Sequence, residues 1–391
     1  MKYIILWFTA AVVAVFSGLA SVSIAAQSDA PELALSTRVK NGLATESLAI
    51  QLIKLELLKN GGQMPTVVKP RWHALAVDAF LSEPTASGAV AIIALAQAGE
   101  QQQSLMLKAF ELSRREQLVN GWLIASGSTG NDISSVLKYY DVVLRTSSTA
   151  PDVIVPIMVK ALANDSAIGP YATMLSEDPP WAGRFWGEIP SSPESLDNAV
   201  LLRQALLRQK VQSDNYQDAN LILALTNRFK FEQATQLYQQ LKRKKWQTDV
   251  VRNDNFRTVS EFPPLDWQLF STGEYGASIQ AGQLNLSAID NSGGLFARQL
   301  VELERRNLIL KFVLEQIPVP GDKVSIQLLC AEENVISSSA LPVAITELET
   351  RIVIANENDA CRYYWLDITG RAGEDGDGFA IGFKSVSLSA R

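Results

Sequence analysis

A short stretch near the C-terminal end carries side chains of the kind that bind sugars. Such sites combine flat aromatic surface for the C–H face of a sugar with a few carboxylates or amides for its hydroxyls. Side chains alternate along a strand, so one face of the strand predicted there would carry Tyr363, Trp365 and Asp367. The other face would carry residues that suit a core: Tyr364, Leu366 and Ile368. We therefore expect an exposed glycan platform, with core packing of both rings as the alternative.

Two cysteines bear on the orientation of this strand. Cys330 and Cys361 predict one disulfide, which would close a loop of about 30 residues, and two unpaired buried thiols are the alternative. Cys330 ends a predicted strand whose alternating apolar residues suit a core. A disulfide would thus draw Cys361, and with it Tyr363 and Trp365, inward. Only a bulge, or a strand that begins after Cys361, satisfies both the disulfide and the exposed platform.

An acidic loop follows this strand. Glu374, Asp375 and Asp377 are interleaved with glycines at 376 and 378. Calcium prefers such hard oxygen ligands, so a structural calcium site is one interpretation of the loop. An ordinary Asp-Gly hairpin turn is the other. No other cofactor is expected.

Catalytic chemistry has few candidates in this sequence. His73 is the single histidine, which excludes multi-histidine metal centres and leaves any histidine triad dependent on one residue. Asp266 beside Trp267, or the acidic loop, could serve a glycoside hydrolase or lyase, but two carboxylates in one short loop rarely straddle a substrate. We predict a protein without catalytic activity and keep the carbohydrate-active enzyme as an alternative. Trp267 and Tyr275 are further candidates for a sugar platform, again with core packing as the alternative.

The N-terminal segment places the rest of the chain outside the cytoplasm. No charged side chain occurs from Tyr3 to Ser28, and Lys2 precedes this run. The segment predicts either a cleaved signal peptide or a retained anchor, and a signal peptidase would cut before Ala26, where Ser23 and Ala25 give a small-x-small pattern. If uncleaved, residues 3–26 are long enough for a membrane anchor. Either way Lys2 should stay inside, which predicts a periplasmic protein, soluble or anchored to the inner membrane.

The net charge of −6 and a pI of about 5.1 give no basic surface for nucleic acid. The densest basic run, residues 242–245, ends a predicted helix, where cations complement the helix dipole. Nucleic acid is therefore not an expected partner.

The chain divides into an export segment (1–26), a helical region (30–250), a connector (251–261) and a β-patterned region (262–391). In the helical region, apolar residues recur at helical spacing and short turns separate pairs of helices, for example at Gly99 and Gly130. The set Ala234, Tyr238 and Leu241 repeats the small–aromatic–apolar spacing of Ser135, Tyr139 and Val142. The β-patterned region predicts seven strands of an antiparallel sandwich: 277–286, 299–304, 308–315, 323–330, 350–355, 362–369 and 379–388.

These patterns resemble two known kinds of protein. The helical region, between about 85 and 245, is similar to degenerate tetratricopeptide repeats, and the C-terminal region resembles jelly-roll carbohydrate-binding modules. With its LSRRE, PPWAGRF and FPPLDW segments, the chain also looks like a group of uncharacterised alphaproteobacterial envelope proteins. The resemblance implies an α + β multidomain protein, with a solenoid followed by a sandwich, located in the envelope.

Three functions follow from this organisation. The first is an interaction scaffold whose repeats hold a protein partner and whose sandwich binds a glycan or a second protein, with a role in polysaccharide assembly or export. The second is the carbohydrate-active enzyme. The third is a purely structural envelope protein, which should show no exposed aromatic surface on residues 262–391.

Overall fold

A computed structural model describes residues 2–59, 61, 67–130, 132–211, 214–242, 250–303, 308–332, 343–354, 361–374 and 378–390. The N-terminal part is helical and the C-terminal part consists of two antiparallel sheets, as the sequence predicts. Within the described ranges the α-helices are α1 (Lys2–Ala26), α2 (Pro31–Ser36), α3 (Gly42–Lys59), α4 (Pro70–Ser82), α5 (Ser87–Leu95), α6 (Gly99–Leu112), α7 (Gln117–Thr129), α8 (Ile133–Thr146), α9 (Ala150–Ala161), α10 (Ile168–Leu175), α11 (Ala182–Glu188), α12 (Leu196–Arg208), α13 (Asn215–Thr226) and α14 (Phe231–Lys242). Short 3-10 helices occupy Asp165–Ala167, Ile189–Ser191 and Pro193–Ser195.

Neighbouring helices pair as the repeat pattern predicts, with α3 on α4, α5 on α6, α7 on α8 and α13 on α14. Side-chain caps begin several of these helices. Asp132 accepts a hydrogen bond from the Ser135 N–H at the start of α8, and Asp214 accepts one from the Tyr216 N–H at the start of α13. Each cap satisfies a backbone donor that has no partner within its helix.

The strands are β1 (Gln268–Leu269), β2 (Tyr275–Gln280), β3 (Gln283–Ala288), β4 (Gly293–Glu302), β5 (Leu308–Leu314), β6 (Lys323–Cys330), β7 (Val343–Ala344), β8 (Glu349–Ile354), β9 (Tyr363–Arg371) and β10 (Phe379–Ala390). They form a first sheet in the order β1-β4-β9-β6-β7 and a second in the order β2-β3-β10-β5-β8. Apolar residues from both sheets form a single core, as in a β-sandwich.

The predicted strands differ from the described ones in three respects: β1 and β7 are not predicted, β4 begins at Gly293 and not at 299, and one predicted run is not a single strand. The run 277–286 is a hairpin, β2 followed by β3, and its turn is made by Ala281 and Gly282 at φ 53° and 74°. Both central residues of this turn have positive φ, the conformation that matches the twist of the paired strands. The core-facing positions change across the turn, from Ala277 and Ile279 to Leu284 and Leu286, so the alternation is interrupted there and the run is two strands instead of one.

The predicted disulfide is confirmed. Cys330 and Cys361 are bonded, and both lie in the core of the sandwich. Strand β9 begins at Tyr363, two residues after Cys361. The strand therefore starts after the disulfide, which is one of the two arrangements that reconcile a core disulfide with an outward-facing Tyr363.

The chain forms two compact units, and each is described by itself. The first comprises residues 1–154 with 179–181, and the second comprises 155–178 with 182–391. Helices α10 to α14 thus belong to the same unit as the sandwich. The predicted boundary near residue 250 does not coincide with this division.

Helix α1 is the one described helix that is by itself long and apolar enough to cross a membrane. Its side chains from Tyr3 to Leu19 are exposed, whereas Ser23 near its end is fully buried within the first unit. The N-terminal segment is therefore an apolar helix whose last turn packs into the fold.

Candidate functional site

The first sheet presents the predicted platform on its outer face. In β9, Tyr364, Leu366 and Ile368 point into the core, so the predicted alternation is right. Tyr363 and Trp365 point the other way, where the second unit places Phe231 at the start of α14. The Phe231 ring lies 5.5 Å from the Tyr363 ring and 6.0 Å from the Trp365 ring, centroid to centroid.

The expectation that this face is open to solvent is corrected by that helix. Tyr363 retains 4% of its exposure, Phe231 retains 2%, and only Trp365 of the three rings is partly exposed. The apolar side of helix α14 must be buried away from water, and it packs against the two rings of β9. The aromatic pair is thus used within the chain, as an internal docking surface.

The carboxylate of the predicted platform is also engaged. Asp367 is 2% exposed and accepts two hydrogen bonds from Arg298, from Nε at 2.7 Å and from Nη2 at 2.8 Å. The same guanidinium lies 4.8 Å from the Trp365 ring centroid. Arg298 therefore neutralises the buried carboxylate and stacks against the partly exposed indole.

The other two aromatic candidates, Trp267 and Tyr275, pack against the core of the sandwich. Trp267 is 1% exposed, packs against Phe256 and donates its Nε1–H to the Asn253 carbonyl at 3.3 Å. Tyr275 is half-buried, and its ring meets Phe296 at 5.0 Å in an edge-on contact. Trp267 therefore offers no ring face to a ligand in this arrangement, and Tyr275 offers only a part.

Asp266, the carboxylate considered for catalysis, holds α14 to the sandwich. Its Oδ1 accepts a hydrogen bond from the Tyr238 hydroxyl at 2.8 Å. Its Oδ2 accepts the N–H groups of Glu261 and Phe262, at 2.9 and 3.0 Å. Both oxygens are thus occupied by structural hydrogen bonds, and the residue is 6% exposed.

Arg252 adds further contacts between α14 and the sandwich; we call this set of contacts, made by Tyr238, Asp266 and Arg252, the joint. Its Nη1 donates to the carbonyls of Leu265 and Leu300, at 2.9 and 2.8 Å, and its guanidinium lies 5.2 Å from the Tyr238 ring centroid. Burial lowers the pKa of Arg252, and burial together with the Asp266 charge raises the pKa of Tyr238. The phenol therefore stays protonated and remains a donor to Asp266.

The repeat spacing includes an aromatic residue of this joint, but it predicts a contact between hairpins there. Tyr139 in α8 packs edge-on against Phe110 in α6, at 5.5 Å, which is the contact between hairpins that the repeat spacing predicts. Tyr238 is the corresponding aromatic of the later hairpin, and it packs against Phe262 and bonds Asp266 instead. The repeat aromatic of α14 therefore contacts the sandwich.

The metal-binding prediction is only partly within the described residues. Glu374 is exposed, whereas Asp375 and Asp377 lie outside the described part of the chain. Glu332 lies near the two cysteines, but their disulfide leaves no thiolate for a metal at that cluster. His73 is half-buried on α4.

The outer face of the second sheet is polar along β2 and β3. Leu284, Leu286 and Ala288 of β3 lie in the core, so the intervening side chains point outward. We call the outward polar set of β2 and β3 the amide face: Ser278, Gln280, Gln283, Asn285 and Ser287. Across the described residues of 262–391, no aromatic side chain falls in the exposed class. Hydrogen-bonding groups, and not rings, are what this face offers.

Comparisons with known proteins give weak likenesses only. No family model and no curated protein matches the chain. A CBM4 structure is 14% identical with a TM-score of 0.27, covering 36% of this chain and 99% of its own. TmCBM61 in complex with β-1,4-galactotriose is 13% identical with a TM-score of 0.26, covering 37% of this chain and 100% of its own. A mutant Xylanase10C from Cellvibrio japonicus in complex with xylopentaose is 14% identical with a TM-score of 0.24, over 32% of this chain and 26% of the xylanase. The likeness thus covers about a quarter of the xylanase.

Proposed function

We propose that this chain is a non-catalytic interaction protein of the bacterial periplasm, anchored in the inner membrane by α1, whose helical repeats hold a protein partner. The observation that carries the proposal is the junction between α1 and the first unit. Asn41 Nδ2 donates to the carbonyl and the hydroxyl of Ser23, at 3.2 and 3.1 Å. The anchor and the repeats are therefore joined by side-chain contacts.

The same asparagine begins the next helix of the repeats. Asn41 Oδ1 accepts the Ala44 N–H at 3.0 Å at the start of α3. Cleavage before Ala26 would remove Ser23 and leave this capping residue without its partner in α1. The geometry thus favours retention of residues 3–26, whose 24 residues match the thickness of a bilayer core.

The disulfide supports a location outside the cytoplasm. Bonds such as Cys330–Cys361 persist in oxidising compartments and are rare where glutathione keeps thiols reduced. With Lys2 on the inner side, the positive-inside rule orients the repeats and the sandwich toward the periplasm.

The proposal that the protein has no catalytic activity is supported by the hydrogen bonds that engage the carboxylates near the aromatic rings. Asp266 has three structural hydrogen bonds, and Asp367 is paired with Arg298. A general acid or a nucleophile must reach its substrate, so neither buried carboxylate suits a glycosidase. We expect no turnover of polysaccharides by this protein.

A glycan is a second candidate ligand, and the amide face favours it. A polysaccharide in an extended conformation could accept and donate hydrogen bonds along the adjacent rows of amides and hydroxyls on β2 and β3. Such a surface, with few rings, would bind a polymer through many weak contacts. On this proposal the protein would take part in assembling or exporting an envelope polysaccharide.

The anchor is tested by the mass and location of the mature protein. The full chain, with a C-terminal tag, is exported in a bacterial host, and its intact mass and membrane fractionation are measured. We expect residues 3–26 to be retained and detergent to be needed for release. An Ala25→Leu variant, which removes the small residue before the predicted cleavage position, should have the mass of the wild type plus the substitution only. A soluble chain that begins at Ala26 would contradict the proposal.

Glycan binding is tested on the detergent-solubilised full chain, by affinity-gel mobility against a panel of bacterial polysaccharides. We expect one polymer to retard the wild type and the retardation to fall when Gln283 and Asn285 are both changed to Ala. Gln327→Ala removes a half-buried amide from the outer face of the first sheet and serves as the control. Retardation by none of the polymers would exclude the glycan and leave protein partners as the ligands.

A further inference from the structure

The second unit contains a cleft that neither the sandwich nor the membrane anchor uses. It has a volume of about 290 Å³ and lies among α10 to α13. Buried side chains, among them Leu175, Trp186 and Leu206, line its walls, and the exposed Asp178 and Asp214 lie at its rim. This volume is at the lower end of ligand pockets, which begin near 300 Å³, so it suits one side chain and not a large ligand.

The floor of the cleft is a fixed ion pair. Arg203 is 2% exposed, and its Nε and Nη2 donate to the two oxygens of Asp218 at 2.7 and 3.0 Å. A third donor, Nη1, bonds the Val211 carbonyl at 3.1 Å. These hydrogen bonds hold the guanidinium in place, so the floor is rigid. The two charges cancel, so the ion pair adds no net charge to the cleft.

The rim carries two exposed carboxylates. Asp178 follows α10 with φ 49°, and Asp214 begins α13 as its capping residue. With the floor neutral, these two groups give the cleft a formal charge of −2. Trp186 lines the wall and contacts Phe185 edge-on at 5.7 Å.

A missing side chain helps to shape the cleft. A Cβ at Gly183 would lie 3.3 Å from Gln217 Nε2, so glycine lets this amide come close to α11. The segment from Asp178 to Trp186 contains the PPWAGRF sequence. It supplies both a carboxylate and the aromatic wall of the cleft.

We propose that this cleft binds a basic side chain, lysine or arginine, from the protein partner. The inference rests on the proposed function, because it takes the repeats to be the part that holds a protein. The aliphatic stem of such a side chain would pack on Leu175, Leu206 and Trp186. Its cationic end would lie between Asp178 and Asp214.

The charge selects this ligand over others. An anion would meet two carboxylates and a guanidinium already paired with Asp218. A neutral sugar would use the tryptophan and the amide but would gain nothing from the net charge of the rim. A cation on a flexible apolar stem uses the wall, the ring and both carboxylates at once.

The test uses the detergent-solubilised full chain and blocked amino acids as probes. Nα-acetyl-arginine amide is titrated by calorimetry and by the NMR shifts of the tryptophan indole N–H groups. The amide of Nα-acetyl-citrulline, which has nearly the same shape without the charge, is the neutral probe. We expect millimolar binding of the arginine probe and at least ~10-fold weaker binding of the citrulline probe, since two carboxylates and one ring face the cation.

Two conservative variants test the rim. Asn tolerates the left-handed conformation at position 178 and caps helices as well as Asp does, so Asp178→Asn and Asp214→Asn should keep the fold. Each should weaken the arginine probe by ~3- to 10-fold, and added salt should do the same. Glu177→Gln makes the same change of charge at the neighbouring exposed position and should leave affinity within ~2-fold.

Equal binding of the arginine and citrulline probes, or binding unaffected by both Asn variants, would overturn the inference and indicate a neutral ligand. Absence of arginine binding would overturn it as well. The membrane anchor has its own readouts, mass and fractionation. The binding experiment can therefore contradict the proposal for the cleft while the mass and fractionation support the anchor, and the opposite combination of results can also be distinguished.

Discussion

The Tyr238 hydroxyl and the Asp266 carboxylate, 2.8 Å apart, join the last helix of the repeats to the entrance of the sandwich. The other oxygen of the carboxylate holds the backbone N–H groups of Glu261 and Phe262. One buried acid therefore fixes both the helix and the chain segment that leads into the first sheet.

Removing this hydroxyl should destabilise the second unit. Tyr238→Phe keeps the ring but leaves Asp266 short of one donor, and we expect a loss of about 1–3 kcal/mol in the free energy of unfolding, measured by urea denaturation. Tyr216→Phe, at a residue 70% exposed, is the control and should change it by less than about 0.5 kcal/mol. If Tyr238→Phe and Asp266→Asn are additive in a double-mutant cycle, the two side chains are not coupled.

Phe231 should be the main apolar anchor of α14 on the sheet. Phe231→Ala would open a cavity over Tyr363 and Trp365 and should cost about 3–5 kcal/mol, with a red shift of tryptophan emission as the indole becomes hydrated. Phe229→Ala is a matched control, because this neighbouring ring is 54% exposed. An unshifted emission spectrum with unchanged stability would show that the helix does not cover the sheet.

The disulfide should contribute stability that reductant removes. Replacing Cys330 and Cys361 together by Ser should lower the free energy of unfolding by about 2–4 kcal/mol, because the loop between them is then unconstrained in the unfolded chain. Reductant should bring the wild type to the stability of the variant and leave the variant unchanged. Equal stability of the oxidised wild type and the variant would be incompatible with this role.

The first unit should lose stability as the pH rises above the ordinary range of glutamate. Glu46, on α3, accepts the N–H groups of Gly88 and Ala89 at the start of α5, and burial raises its pKa above 4.5. Burial also raises the pKa of Glu116. A raised pKa in the folded state means that the protonated acid favours folding. This contribution is complete below about pH 4.5, the unfolded value, and is lost as the pH rises through the folded value.

Glu46→Gln should therefore flatten the decline of stability between pH 4.5 and 8, since the amide oxygen can still accept the two N–H groups without a charge. The measurement is urea denaturation across this pH range, with Glu111→Gln, at an exposed position of α6, as the control. A slope equal to that of the wild type would contradict the interpretation of Glu46 as a buried acid with a raised pKa.

The isolated sandwich should behave differently from the second unit. A fragment of residues 262–391 lacks Phe231 and the core residues Val251 and Phe256, so it would uncover Tyr363, Trp365 and part of the core, and we expect it to bind a hydrophobic dye and to associate with itself. A fragment of residues 150–391 keeps α14 and should do neither. Sugar binding seen only with the shorter fragment would reflect this uncovered face.

The alternation of β9 could be predicted because it is a local pattern. The disulfide could be predicted because the sequence contains a single pair of cysteines. A period of two specifies which side chains share a face, and it correctly groups Tyr363 with Trp365. It does not specify what lies against that face. The covering ring, Phe231, belongs to a helix more than a hundred positions earlier, and no local pattern links it to β9.

The joint between helix and sandwich was missed for a related reason. Tyr238 has the repeat spacing that places Tyr139 against a neighbouring hairpin, and the spacing is the same whichever surface it meets. The rim of the cleft was missed because Asp178 and Asp214 are far apart in sequence, and only the fold brings them to one opening. Taken singly in the sequence, Asp178 suggests an ordinary turn residue and Asp214 an ordinary helix cap.

The junction of Ser23 with Asn41 also bears on how the protein meets its partners. If α1 is retained as the anchor that we propose, a helix that continues into the fold without a flexible tether would confine the search for a partner to the plane of the membrane. It would also keep the first unit at a constant inclination to the lipid surface. Encounters would then depend on lateral diffusion and on the local density of membrane-bound partners, more than on their concentration in the surrounding fluid.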